Sequence, residues 1–440
     1  MIARTVYLAA VLLATAALAA DRVTAQEGGL RGSLTLTPGL QYDDDTLSAR
    51  LGLAARLQSE TRTQRLSLSF DGALDSAETS GQLNGLRDPR LSLAYEIDNR
   101  NAAFGADVSY RRSEVDSLFL EGDPDDELLV LDEGQREDIR VGTRLSFGRE
   151  APFGGTLDLS YREQRYIDTA DPTLLDEKSL SAGLSLRFSI DRRLTTTVTA
   201  RLSETDVAGS GADQRSESFT LGAELAVNAS LLTSARIGGS RVTDTIGGVD
   251  VVQSGLTYGF AAVRDLPDGM LSAEVDSSIT AAERLTKARV EREIDLPRGA
   301  LSLGAGLGKI GSDEAQALFS LAWEQETSAA TLGLSLDRDL VVNRDGDSAV
   351  DSRLRLSWNR ELDSLSRLGA SLNWRETERL DPGTRDARQA SITISWGRDL
   401  TRDWAIRSSY THRWTRETGS ADRTEESVFI GLERTFQWRP

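Results

Sequence analysis

Residues 180–190 read Leu-Ser-Ala-Gly-Leu-Ser-Leu-Arg-Phe-Ser-Ile. Apolar side chains fall at every second position of this stretch, and Ser, Gly and Arg fall between them. A period of two is typical of a strand with one apolar and one polar face. The same alternation returns between Leu34 and Trp438 in about 22 segments, each near the length at which a tilted strand crosses a bilayer. The sequence therefore predicts an all-β protein.

The charges of the polar phase indicate how the strands are arranged. They are mostly arginines and carboxylates, which need water or a partner of opposite sign when a wall encloses them. An apolar phase on lipid and a polar phase on a water-filled interior are typical of a transmembrane antiparallel up-and-down β-barrel. We expect about 22 strands, with 18–20 as alternatives, and no plug domain, since no globular segment precedes Leu34.

Composition and the N-terminus agree with export. The chain has 440 residues, a net charge of −18 and no cysteine, which excludes disulfides and thiolate metal sites. Arg4, an apolar run from Val6 to Ala20 and small residues ending at Ala25 predict a cleaved secretory signal over residues 1–25. The barrel then covers residues 26–440. No other segment offers the roughly 20 apolar residues of a membrane helix.

The connections between strands alternate in length. Tight ones include Asp98–Asn101, Asp191–Arg193 and Asp399–Asp403, and longer ones include Glu114–Glu137, Thr205–Ser216 and Val341–Ala349. Bacterial barrels keep short turns in the periplasm and long loops outside. This predicts the outer membrane of a Gram-negative bacterium, with both termini periplasmic. A β-propeller, a soluble sandwich and a solenoid remain alternatives, although a propeller does not predict this alternation of lengths and a solenoid would need shorter and more uniform rungs.

The charged residues of the polar phase are the predicted solute path. One basic arc holds Arg140, Arg144, Arg162, Arg187 and Arg201, and a second holds Arg353, Arg355, Arg375, Arg407, Arg413, Arg50 and Arg56. Between them lie Glu224, Glu274, Asp276, Glu324 and Asp337. Segregated arcs would set a transverse field across a pore. The alternative is that neighbouring charges, such as Asp351 with Arg353, pair across the ladder and fix its register.

Catalysis is not expected. The single histidine, His412, shares the phase of Trp414, which places it on the lipid side, and no nucleophile motif or phosphate loop is present. We expect no cofactor and no metal site. We also expect no binding of nucleic acid, because the chain is strongly acidic. The acidic run Glu121–Glu127 and the segment Asn343–Asp347 are weak candidates for calcium.

Two stretches resemble known sequences. The opening strand Leu34–Tyr42, followed by Asp43–Asp45, and turns such as Arg398–Thr401 resemble the type 2 family of β-barrel porins. The last strand, Val428–Trp438, resembles the terminal signal that the outer-membrane assembly machinery reads, although Arg439 and Pro440 follow the aromatic residue. The resemblance to the porins implies a large outer-membrane barrel, in some members encoded with exopolysaccharide machinery.

These observations predict a passive channel for polar solutes or for an exported polysaccharide. The alternative is a structural or adhesive surface protein whose lumen is closed by paired charges. The expected partners are outer-membrane lipid and lipopolysaccharide, the assembly machinery and the solute or polysaccharide itself. A barrel of this width is expected to work as a monomer.

Overall fold

The structure is a computed structural model that describes residues 29–439, apart from 44–45, 77–82, 116–133, 173, 210–211, 343–345, 381–385 and 420. In chain order its strands are β1 (Arg31–Asp43), β2 (Thr46–Glu60), β3 (Gln64–Ser76), β4 (Leu83–Asp98), β5 (Ala102–Glu114), β6 (Gln135–Phe147), β7 (Phe153–Ile167), β8 (Glu177–Ser189), β9 (Leu194–Val207), β10 (Ala212–Asn228), β11 (Leu231–Ile246), β12 (Val249–Leu266), β13 (Gly269–Ile279), β14 (Arg284–Leu296), β15 (Gly299–Ile310), β16 (Gln316–Glu326), β17 (Ala330–Val342), β18 (Ser348–Glu361), β19 (Ser366–Arg379), β20 (Ala387–Asp399), β21 (Trp404–Glu417) and β22 (Arg423–Trp438).

Each strand pairs antiparallel with the next, and β22 pairs with β1 from Gly32↔Trp438 to Asp43↔Ser427. The sheet therefore closes on itself and has no free edge, so its backbone donors and acceptors are satisfied within the wall. This confirms the predicted antiparallel barrel and its count of 22 strands. The predicted signal peptide, the acidic run Glu121–Glu127 and residues 343–345 lie outside the described residues, and the absence of a plug domain stays a prediction.

The two phases of each strand form two continuous faces. Leu180 and Leu184 are 57% and 41% exposed, and the ladder places them opposite Tyr161 and Leu157 of β7. Val428 and Ile430 of β22 continue the same exposed apolar face. So broad an apolar surface requires a non-aqueous environment, and it is the outer face of the barrel. The charges of the opposite phase then line the lumen, which we call the inner face.

Membrane helices play no part in the described fold: among the residues that the structure describes, no helix is long and apolar enough to cross a bilayer.

The tight turns form as predicted and have clear local causes. Asp191 accepts hydrogen bonds from the backbone N–H groups of Arg193 and Leu194 at 2.6 and 2.8 Å, which closes the turn after β8. These donors stabilise the carboxylate and lower the pKa of Asp191. A tight turn that was not predicted lies at the other end of the barrel, where Gly247 and Gly248 take φ angles of 59° and 81°, the conformation that a two-residue hairpin requires.

The predicted long loops are partly wrong. Residues 205–216 were expected to be a loop, yet β9 and β10 remain paired to Val207↔Ala212. The polar composition of this segment reflects hydration beyond the membrane and does not interrupt the ladder. The longer connections nevertheless lie at the same end of the barrel, which we call the mouth.

Candidate functional site: the charged lumen and its mouth

Buried polar side chains concentrate at the mouth, in two groups on the inner face. The first, the Asp138 cluster, lies on β6 and β7. Asp138 accepts hydrogen bonds from Arg136 at 2.8 Å and from Arg162 at 3.1 Å, and Arg140 lies 4.0 Å away. The side chain of Arg136 is only 1% exposed. A guanidinium this deeply buried is stable only with an anionic partner.

The second group, the Asp351 cluster, lies on β18 and β19. Asp351 accepts hydrogen bonds from Arg353 at 2.5 Å, from Arg375 at 2.9 Å and from Thr377 at 2.8 Å. Arg353 and Arg375 are directly opposite one another in the ladder. Two like charges in this position repel, and the carboxylate between them offsets the repulsion.

The two clusters face each other across the lumen. Eleven strands separate β6 from β18 in one direction round the barrel and nine in the other. The mouth therefore carries two buried carboxylates on opposite walls, each held by arginines.

The predicted solute-path residues all lie in the polar phase of their strands, but many are paired. Direct ion pairs join Arg144 to Asp158, Arg50 to Asp75, Arg407 to Glu433, Arg413 to Glu425, and Arg236 to both Asp276 and Glu274. Asp337 lies opposite Arg353 in the ladder, and Arg187 donates to the carbonyl oxygens of Gly148 and Arg149. At these positions the charges interact between nearby strands, as the alternative to segregated arcs predicts.

Three arginines differ from the rest. Arg56, Arg201 and Arg355 are exposed on the inner face and, among the residues that the structure describes, have no ion pair or side-chain hydrogen bond. Among the described residues, Glu224 and Glu324 are likewise exposed on the inner face without an ion pair or a side-chain hydrogen bond. Unpaired charges on a lumen wall remain available to a solute.

A polar cavity of about 690 Å³ opens at the mouth and is lined by residues of β1, β4, β5, β6, β21 and β22. Arg87 lies in its wall and forms ion pairs with Asp43 at 3.5 Å, Asp75 at 3.3 Å and Glu114 at 3.0 Å. Cavities of roughly 300–1,000 Å³ suit small-molecule ligands.

Sequence reasoning missed the cavity and most of the buried clusters. Arg136, Asp138 and Arg140 alternate in one strand, and this Arg-x-Asp-x-Arg pattern was a usable signal for the first cluster. Arg87 had no such signal, because its partners come from three other strands. Only the curvature of the wall brings them together.

No protein-family model matches the chain, and no curated protein matches it. Solved structures do. The ferric-catecholate import receptor Fiu from E. coli K12 has a TM-score of 0.59 at 10% identity, over 94% of this chain and 82% of that one. The FrpB iron transporter from Neisseria meningitidis gives 0.60 at 10% identity over the same shares, and the copper transporter OprC gives 0.55 at 10% over 93% and 81%. The chain therefore shares its fold with these proteins.

This likeness corrects two predictions. The resemblance to the type 2 β-barrel porins is wrong, because the solved structures similar to this chain are named as receptors and transporters for iron and copper and not as porins. The predicted passive channel or polysaccharide exporter, with its adhesive alternative, is also wrong, since one of these proteins is named as a ferric-catecholate import receptor and the others as iron and copper transporters. The predicted family rested on the residues of one strand and a few turns, and many barrels share such local patterns. The names of these similar structures, a receptor and a transporter, fit at a coarse level the expectation that the chain is not an enzyme.

Proposed function

We propose that the chain is an outer-membrane uptake receptor that admits an anionic small-molecule complex, such as a ferric chelate, through the mouth. The observation that carries this proposal is the set of lumen arginines without a partner, Arg56, Arg201 and Arg355. Cationic side chains on an enclosed wall raise the local concentration of anions.

The mouth supports a specific ligand. Its cavity of about 690 Å³ holds Arg87, Arg413 and Arg423 together with acidic side chains. Such convergent polar groups can orient one ligand. The solved barrels of the same fold are named for ferric-catecholate and copper, so a metal chelate is the first ligand class to test.

We also propose the finer features of the setting. Residues 1–25 are removed as a signal peptide, both termini of the mature barrel are periplasmic, and its outer face contacts lipid and lipopolysaccharide. The barrel works as a monomer, and its last strand is read by the assembly machinery. The even strand count and the gathering of short turns at one end support this orientation.

Equilibrium binding tests the proposal. The refolded full chain is titrated with ferric tris-catecholate, an anion, and with raffinose, a neutral solute, while tryptophan fluorescence is followed. We expect saturable binding of the chelate only. The triple substitution Arg56→Glu, Arg201→Glu and Arg355→Glu should weaken it by about a hundredfold, which corresponds to about 2.8 kcal/mol.

The matched control makes the same charge change outside the lumen. Arg62→Glu, Arg192→Glu and Arg402→Glu lie in exposed turns at the end opposite the mouth, and they should leave binding unchanged. Equal losses of chelate affinity in both triple variants would show that the effect comes from net charge alone. Absence of saturable chelate binding by the wild type would overturn the proposal.

A further inference from the structure

The wall opens locally between β16 and β17 at the mouth. The β16–β17 ladder ends at Phe319↔Arg338, although β17 continues to Val342 and stays paired with β18 as far as Val342↔Ser348. On the other side, β16 stays paired with β15 as far as Gln316. We call residues 339–342 and 346–351, at the end of this hairpin, the β17–β18 tip. The tip therefore departs from the barrel wall that the rest of β17 and β18 follows.

The tip lies inside the wall. Leu340 and Val350 are directly opposite in the ladder and belong by alternation to the outer face. They pack, however, on Ile310 and Leu318, which belong by alternation to the inner face of β15 and β16, and all four side chains are at most 4% exposed. Outer-face residues can contact inner-face residues of neighbouring strands only if the tip overlaps them from the lumen side.

Gly308 provides the space for this overlap. A Cβ atom at Gly308 would lie 3.3 Å from the Cβ of Leu340 and 3.2 Å from its Cδ2. Any larger residue would push Leu340 away from the wall. At the far end of the tip, a Cβ at Gly346 would lie 3.5 Å from the backbone nitrogen of Ala282, so the tip reaches the connection between β13 and β14.

A pair of cations holds the tip in place. Asp339 lies 2.9 Å from Lys287 and 2.5 Å from Arg289, both on β14, two strands beyond the edge of the opening. In the ladder Asp339 is directly opposite Asp351, a like-charge arrangement that is unfavourable unless each carboxylate has its own cations. Lys287 and Arg289 supply them for Asp339, and Arg353 and Arg375 supply them for Asp351.

We propose that the β17–β18 tip is a lid on the mouth, latched by Asp339 to Lys287 and Arg289, and that it swings off β15 and β16 to admit the ligand. This rests on the proposed function, since it regulates the same mouth. Along the overlap, side-chain packing on Ile310 and Leu318 takes the place of a backbone ladder between β16 and β17. Segments held by few contacts open at a lower free energy than the fold as a whole.

A disulfide lock tests the movement. The natural chain has no cysteine, so a Gly308→Cys/Leu340→Cys variant has a single pair, whose Cβ atoms lie near the distance that a disulfide requires. We expect oxidation to slow association of ferric tris-catecholate by at least tenfold and reduction to restore it. The control pair, Ser179→Cys/Thr205→Cys, links β8 and β9 within the intact wall, where the native hydroxyls are 3.0 Å apart, and should have no effect in either state. Unchanged association in the oxidised lid variant would overturn the lid.

Cysteine labelling tests the latch without any ligand. Leu318→Cys places a thiol under the tip, at a position 3% exposed in the native chain, and a charged maleimide reports each opening. Adding Asp339→Asn should raise the labelling rate by at least about tenfold, whereas adding Asp158→Asn, which breaks an ion pair within the wall, should not. Equal rates in the two backgrounds would overturn the latch. If the wild type binds no chelate but labelling follows the latch, the proposed function fails and the lid stands.

Discussion

The Asp138 and Asp351 clusters have the same local chemistry in two different walls. Each has a carboxylate on the inner face that accepts hydrogen bonds from two arginines, and each lies at the mouth. Around Asp138 the β6–β7 ladder is unbroken from Gln135↔Ile167 to Phe147↔Gly155. Around Asp351 the neighbouring β16–β17 ladder has ended. The same charge pattern therefore fixes a regular wall in one place and supports a segment that has left the wall in the other.

The largest expected effect is on stability. Asp351→Ala and Asp138→Ala should each lower the free energy of unfolding by roughly 3–5 kcal/mol, because each removes the carboxylate that buried guanidinium groups share. Urea titrations of the refolded barrel, followed by tryptophan fluorescence, measure both. In the Leu318→Cys background only Asp351→Ala should speed labelling, since Asp351 belongs to the tip and Asp138 does not. Equal acceleration by both variants would show that the two clusters do not differ.

A second prediction concerns two glycines of the inner face. Gly308→Val should destabilise the protein by about 1–3 kcal/mol, because the new side chain overlaps Leu340. It should also speed labelling at Leu318→Cys by displacing the tip. At Gly183, a Cβ meets only ordinary contacts at 3.7 and 3.9 Å, so Gly183→Ala should change stability by no more than about 0.5 kcal/mol. Thermal unfolding of the two variants gives the comparison.

The smallest expected effect lies in the exposed turns at the other end of the barrel. The pKa values of Asp191 and Asp363 are lowered, chiefly by backbone N–H groups that donate to each carboxylate. A lowered folded-state pKa stabilises the turn above the ordinary aspartate range, and this contribution is lost as pH falls through the lowered value. As pH falls through this range, the protection of the Arg193 and Leu194 amides from hydrogen exchange should decrease. Asp191→Asn should remove this pH dependence. The same substitution should leave the labelling rate of Leu318→Cys unchanged.

Much of the barrel could be predicted because its cause is local. Alternation along each strand is read within about ten residues, and Asp191 closes its turn through the next few residues. The solute-path residues fall in the polar phase for the same reason. The function predicted from the opening strand failed because alternation and turn composition are common to barrels with different tasks.

The mouth could not be predicted in this way. Arg87 finds its carboxylates on β1, β3 and β5, and Asp339 finds its cations on β14. Leu318 lies in the polar phase of β16, and only its packing against Leu340 accounts for an apolar side chain there. Contacts across several strands depend on the curvature of the wall and on where a ladder ends, and neither leaves a periodic signal.

By itself the sequence determined the strands, their two faces, their number and the tight turns opposite the mouth, because each depends on neighbours along the chain. Tertiary structure alone decided which lumen charges are paired, where the mouth cavity lies and that the tip of β17 and β18 overlaps β15 and β16. These features depend on contacts between strands, which bring together residues separated by 24 to 52 positions, such as Arg375 with Asp351 and Lys287 with Asp339.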